Sequence, residues 1–138
     1  MTLVDTNVLL DIATDDPKWA SWSLYQLDAA SIRGPVVINA VVYAEFSIGY
    51  TQIEEVEQVL SDTGLELREI PRPALFLAGK VFQRYRAQRG SRTGVLPDFF
   101  IGAHAAVAGL PLLTRDPRRY RAYFSDITLI APDAQEPD

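Results

Sequence analysis

Residues 1–12 read MTLVDTNVLLDI, an apolar run interrupted by a single early carboxylate, Asp5. That interruption decides the fold. Residues 2–5 read as a short strand, and from residue 8 the period changes, with Val8, Leu9, Ile12 and Ala13 recurring at helical spacing. Thr6 and Asn7 are suited to capping the helix. The opening unit is therefore a strand that passes straight into a helix.

The rest of the chain repeats this alternation. Pro17 predicts the first turn of a second helix running to residue 31, with Trp19, Trp22, Leu24 and Leu27 available for packing. Gly34 and Pro35 precede a second strand at 36–38, then helices at 39–50 and 53–60. The alternating residues 65–70 predict a third strand. Pro73 begins a helix reaching 88, GSRTG (90–94) is a flexible loop, and 98–108 is apolar nearly all round, as a buried helix is. A fourth strand at 112–114, a turn and short basic helix within 115–124, and a fifth strand at 127–130 complete the pattern. Strands alternating with helices, without internal repeats, predict an α/β fold whose parallel sheet is covered on both faces. One domain over 1–131 and a frayed tail at 132–138 are expected.

Composition narrows the chemistry. With 138 residues and no cysteine, the chain is of single-domain size and has no disulfide framework, thiolate nucleophile or thiolate-held metal. No apolar stretch approaches the ~20 residues that cross a bilayer. There is no signal-like N-terminus, so a soluble, cytoplasmic protein without membrane contact is expected. The net charge of −5 conceals segregation. From Lys80 to Arg121 nine basic residues meet only Asp98 and Asp116, a balance of +7, while the remaining sequence carries −12. A basic region of this kind is the footprint of a phosphate-backbone binder, although charge-rich helices are also ordinary solvated faces.

Ligands of open α/β sheets bind beyond the carboxyl ends of the strands. Asp5 closes the first strand, Asp116 follows the fourth, and Asp98 lies in the first turn of the buried helix. Glu45 has Val41, Val42, Ile48 and Gly49 as helical neighbours, which predicts the core face, tilted back toward the second strand's end. Each acid also has a structural explanation: a strand-end acceptor, a helix-dipole partner, an Asp-Pro turn, a satisfied core acid. Four carboxylates converging in a partly dry cleft would repel, and a divalent cation would offset that repulsion. Oxygen donors without thiolate favour magnesium or manganese. His104, the only histidine, reads as a packed core residue, which leaves no histidine pair for metal-free RNA cleavage. No nucleophilic-serine motif or phosphate-binding glycine loop occurs.

Taken in order, VDTNVLL, AEF, PDFFIGAHAAVAG and LLTRDPRRYRAYF resemble the PIN-domain ribonucleases, and most of all the VapC toxins of bacterial toxin–antitoxin pairs. The resemblance covers nearly the whole chain. It implies a three-layer α/β/α sandwich with a mostly parallel sheet of four to five strands. It also implies that Asp5, Glu45, Asp98 and Asp116 are catalytic and hold Mg²⁺, with Mn²⁺ as a substitute, for hydrolysis of RNA. Thr114 fits the polar position beside the fourth acid, and Thr6, Asn7 and Arg115 are supporting candidates. A homodimer and a cognate antitoxin are implied partners. Arg84, Arg86, Arg89, Arg92, Arg115, Arg118 and Arg119 are candidates for gripping RNA. The competing readings are a non-catalytic RNA-binding or regulatory module on the same fold, and a phosphatase or DNA flap nuclease using the same metals.

Overall fold

Burial decides the topology, because short strands with no polar face need helices on both sides. In the computed structural model, which describes residues 1–88, 90, 91 and 94–132, all three residues of β1 (Thr2–Val4) and of β2 (Val36–Ile38) are buried. Side chains alternate faces along a strand, so complete burial means that both faces are covered. β3 (Glu66–Leu67), β4 (Leu112–Leu113) and β5 (Leu129–Ile130) complete a five-stranded sheet, ordered β3-β2-β1-β4-β5 and parallel throughout. Seven helices occur among the described residues: α1 (Thr6–Ala13), α2 (Ala20–Arg33), α3 (Ala40–Ser47), α4 (Ile53–Thr63), α5 (Arg72–Ala87), α6 (Leu96–Ala108) and α7 (Arg118–Tyr123). The expected α/β architecture is present. No helix of the described residues is long and apolar enough to cross a membrane.

The strand order places the site. The chain builds outward from β1 through β2 to β3, then crosses back by α5 and α6 to add β4 on the other side of β1. The direction of winding reverses between β1 and β4, where the chain leaves a crevice at the strands' carboxyl ends. The register, Val4 beside Leu113, brings Asp5 next to Thr114, and the Asp5 amide donates to the Leu113 carbonyl at 2.9 Å.

Several boundaries differ from the sequence expectation. The cap of α1 is Asp5, whose Oδ1 accepts from the Thr6 amide at 2.7 Å; Thr6 and Asn7 are the first helical residues. α2 begins at Ala20, because Asp16 accepts from the Lys18 and Trp19 amides and turns the chain once more after Pro17. α3 stops at Ser47, where tighter turns follow: the Ile48 amide bonds Glu45 and the Tyr50 amide bonds Ser47. α4 runs on to Thr63 and ends at Gly64, which adopts the left-handed φ of 74°. β3 is shorter than expected because its partner β2 ends where Asn39 caps α3, so nothing remains for residues beyond Arg68 to pair with. β5 is limited in the same way by the two-residue β4. Of the expected loop at 90–94, Arg92 and Thr93 lie outside the described residues, as does the expected tail beyond Pro132, which is itself buried.

Candidate active site

Asp5, Thr6, Asn7, Glu45, Asp98, Asp116, Arg118 and Arg119 all line one cleft of about 800 Å³, with Leu10, Ile48, Gly49, Tyr120 and Tyr123 as the remaining walls. The four acids come from four elements. Asp5 caps α1, Glu45 lies on α3, Asp98 is in the first turn of α6, and Asp116 sits in the turn after β4.

Asp5 is the most confined, at 4 % exposure. Its Oδ2 accepts from Thr114 Oγ1 at 2.9 Å, Tyr120 Oη at 2.9 Å and, more weakly, Asn7 Nδ2 at 3.4 Å. Burial pushes its carboxyl up to about 6, helped by repulsion from Asp98 and opposed by the bonds from Thr114, Tyr120 and Thr6. Glu45 Oε1 accepts from Thr6 Oγ1 at 2.7 Å. Burial raises its pKa too, with Asp98 again adding repulsion. Asp98 is raised chiefly by burial; its ion pair with Arg119 opposes the shift and Asp116 adds to it. Asp116 is exposed and pairs with Arg118 at 3.2 Å.

Glu45 does not sit on the core face. The buried stripe of α3 is Val42 and Phe46, one helical repeat apart, while Ile48 is 84 % exposed. Glu45 therefore stands half-buried at the cleft wall, beside the exposed end of its helix.

The supporting residues form a relay. Asn7 Nδ2 donates to Thr114 Oγ1 at 3.3 Å, Asn7 Oδ1 accepts from the Arg115 amide at 3.2 Å, and the Asp116 amide donates to Thr114 Oγ1 at 3.1 Å. The relay ties α1 to the turn after β4 and leaves the Thr114 hydroxyl proton for Asp5. The Arg115 side chain turns elsewhere. It pairs with the buried Asp11 at 2.7 Å and lies over the Trp19 ring. Of the arginines expected to grip RNA, Arg118 and Arg119 line the cleft, whereas Arg84 and Arg86 lie on α5 and do not. Arg89 and Arg92 lie outside the described residues. His104 is 3 % exposed and packed, with Nδ1 3.1 Å from Asn39 Nδ2, as expected of a core histidine.

Tyr120 was not anticipated. It is 1 % exposed, and its hydroxyl pKa is pushed far up by burial and by the Asp5 and Asp98 charges. Within a run of arginines it reads as surface, yet Tyr120 and Phe124 are four residues apart and share the inward face of α7. Phe124 fits there because Gly102 on α6 has no Cβ; one would lie 2.5 Å from the ring.

Among the described residues no group of three acids is placed to hold one ion. Two of the four are instead drawn onto arginines, Asp98 onto Arg119 and Asp116 onto Arg118. The donor chemistry fits a hard divalent cation all the same: the carboxylates are oxygen donors, and burial and mutual repulsion hold three of them above their ordinary pKa.

Residues 2–125 of the chain match the PIN domain family, and the chain belongs to that family. Among solved structures, VapBC2 from Rickettsia felis bound to a promoter DNA fragment is similar at 17 % identity and TM-score 0.73, over 96 % of this chain and 98 % of that one. FitAcB from Neisseria gonorrhoeae is similar at 20 % identity and TM-score 0.65, over 94 % and 96 %. DNA-bound VapBC from Salmonella typhimurium is similar at 17 % identity and TM-score 0.66, over 95 % and 98 %. At these identities the likeness is one of fold. No curated protein matches the chain in sequence.

Proposed function

We propose that the chain is a metal-dependent endoribonuclease and the toxin of a cytoplasmic toxin–antitoxin pair. The observation that carries this reading is the convergence of Asp5, Glu45, Asp98 and Asp116, distant in sequence, on one cleft with Arg118 and Arg119 on its wall. Membership of the PIN family supports it, as do neighbours in fold that are toxin–antitoxin complexes.

In this reading Asp5, Glu45, Asp98 and Asp116 would hold Mg²⁺ or Mn²⁺, which would supply a lowered pKa for water and positive charge beside the phosphodiester. The chain's own residues do the rest. Thr114, Tyr120 and the Thr6 amide fix the Asp5 carboxylate, Thr6 Oγ1 fixes Glu45, and Arg118 and Arg119 draw the backbone phosphate into the cleft. Water attacks phosphorus in line with the departing 3′ oxygen, so products carry a 5′-phosphate and a 3′-hydroxyl. The antitoxin covers this acidic cleft, and the toxin acts as a homodimer.

The test is RNA incubated with Mg²⁺ or Mn²⁺, with and without chelator, for the native chain and Asp5→Ala. Cleavage lost in chelator and in the variant is expected. RNA bound but left intact with every divalent ion would indicate the non-catalytic module, and 2′,3′-cyclic phosphate ends would exclude attack by water.

A further inference from the structure

Three consecutive residues tie α7 to the acidic cleft. Arg118 Nε meets Asp116 Oδ1 at 3.2 Å, Arg119 Nη1 meets Asp98 Oδ2, and Tyr120 Oη donates to Asp5 Oδ2 at 2.9 Å. The two ion pairs are unequal. In the Arg118–Asp116 pair the side chains are 88 % and 51 % exposed, which makes it a weak surface contact. In the Arg119–Asp98 pair they are 31 % and 28 % exposed, and Asp98 is repelled by Asp5, Glu45 and Asp116 around the same cleft. Arg119 thus supplies, from within the chain, positive charge that the crowded acids require.

We propose that Arg119 is an internal counter-ion that competes with the divalent ion for Asp98 and, once displaced, takes hold of a backbone phosphate of the RNA. This rests on the metal-site reading above and goes beyond it by making ion and RNA binding mutually reinforcing. A guanidinium presents the same donor fork to carboxylate and to phosphate and stays charged in either pairing. While Nη1 is engaged by Asp98, the fork is not wholly available to a phosphate. When an ion takes up the Asp98 charge, Arg119 is released in the cleft it already lines, where an entering phosphate can take its fork. Linkage then requires RNA to favour the ion by the same factor by which the ion favours RNA.

The experiment is calorimetric titration of Mn²⁺ into the chelator-treated full chain, comparing the native protein with Arg119→Gln and Arg121→Gln. Arg121 is exposed on the same helix and contacts none of the four acids among the described residues. Arg119→Gln is expected to bind Mn²⁺ more tightly by roughly tenfold, and Arg121→Gln to change affinity by less than about twofold. In parallel, fluorescence anisotropy measures a labelled single-stranded RNA oligonucleotide with and without Ca²⁺. Ca²⁺ should tighten RNA binding to the native chain, and Arg119→Gln should lose most of that gain. An unchanged Mn²⁺ affinity in Arg119→Gln, or an equal rise in Arg121→Gln, overturns the competition. Full retention of the Ca²⁺ gain overturns the transfer to phosphate. Failure of the native chain to bind any ion would instead overturn the metal-site reading, and this inference with it.

Discussion

The Tyr120 hydroxyl donates a 2.9 Å hydrogen bond to Oδ2 of Asp5, a residue 115 positions earlier in the chain, and both side chains are buried. This bond holds α7 against the end of β1. Tyr120→Phe keeps the ring and removes the bond to a carboxylate, at a cost of about 1.5–3 kcal/mol. Urea unfolding at pH 7.5 in chelator should show that loss, together with weaker Mn²⁺ binding. Stability and affinity both unchanged would mean that the bond does not position Asp5.

Asp5 should make the metal-free protein less stable as pH rises. Its folded pKa of about 6 lies above the ordinary 3.8, so the folded state binds the extra proton between these values. The stabilising contribution is complete below about 3.8 and is lost as pH rises through 6. At about 1.4 kcal/mol per unit the loss reaches roughly 3 kcal/mol. Glu45 and Asp98 are also raised and act in the same direction. Unfolding in chelator between pH 4.5 and 7.5 should show the decline, and Asp5→Asn should flatten it. A native profile that rises over this range would contradict the burial argument.

Gly102→Ala should displace α7. A Cβ there would lie 2.5 Å from the Phe124 ring, and overpacking of this kind costs about 1–3 kcal/mol. Gly79 on α5 has open space around it, so Gly79→Ala should be neutral or stabilising by up to about 1 kcal/mol. Thermal unfolding of the two variants checks both signs, and RNA cleavage should fall only in the first.

Arg115→Ala should destabilise the chain without acting at the cleft. It leaves Asp11, 2 % exposed, with only Ser23 Oγ, at 2.8 Å, as a side-chain partner among the described residues. Breaking a buried pair costs about 3–5 kcal/mol, and the partial exposure of Arg115 reduces this to roughly 2 kcal/mol. Asp11→Asn added to Arg115→Ala should recover part of the loss, because no buried charge then remains. If the double variant is less stable than the single one, Asp11 is not held by Arg115.

Local pattern in the chain was enough to place the strand–helix alternation, the parallel sheet and the join at Asp5. Hydrophobic period and capping residues act within a few positions, so they are written where they operate. Asp5, Glu45, Asp98 and Asp116 stood out one by one because a carboxylate among apolar neighbours is conspicuous. Their places beyond the carboxyl ends of the strands then predicted that they meet, and the family resemblance implied the same set. Glu45 was misplaced onto the core because helical spacing names neighbours but not which face the sheet covers. Tyr120 was missed because its charged neighbours mask an inward-facing ring. Only the tertiary structure decided that β4 lies beside β1, with Thr114 and Tyr120 closing on Asp5 and Arg119 on Asp98. Those pairings span more than a hundred residues or join separate elements, and they form only when burying the sheet's two faces brings the distant segments together.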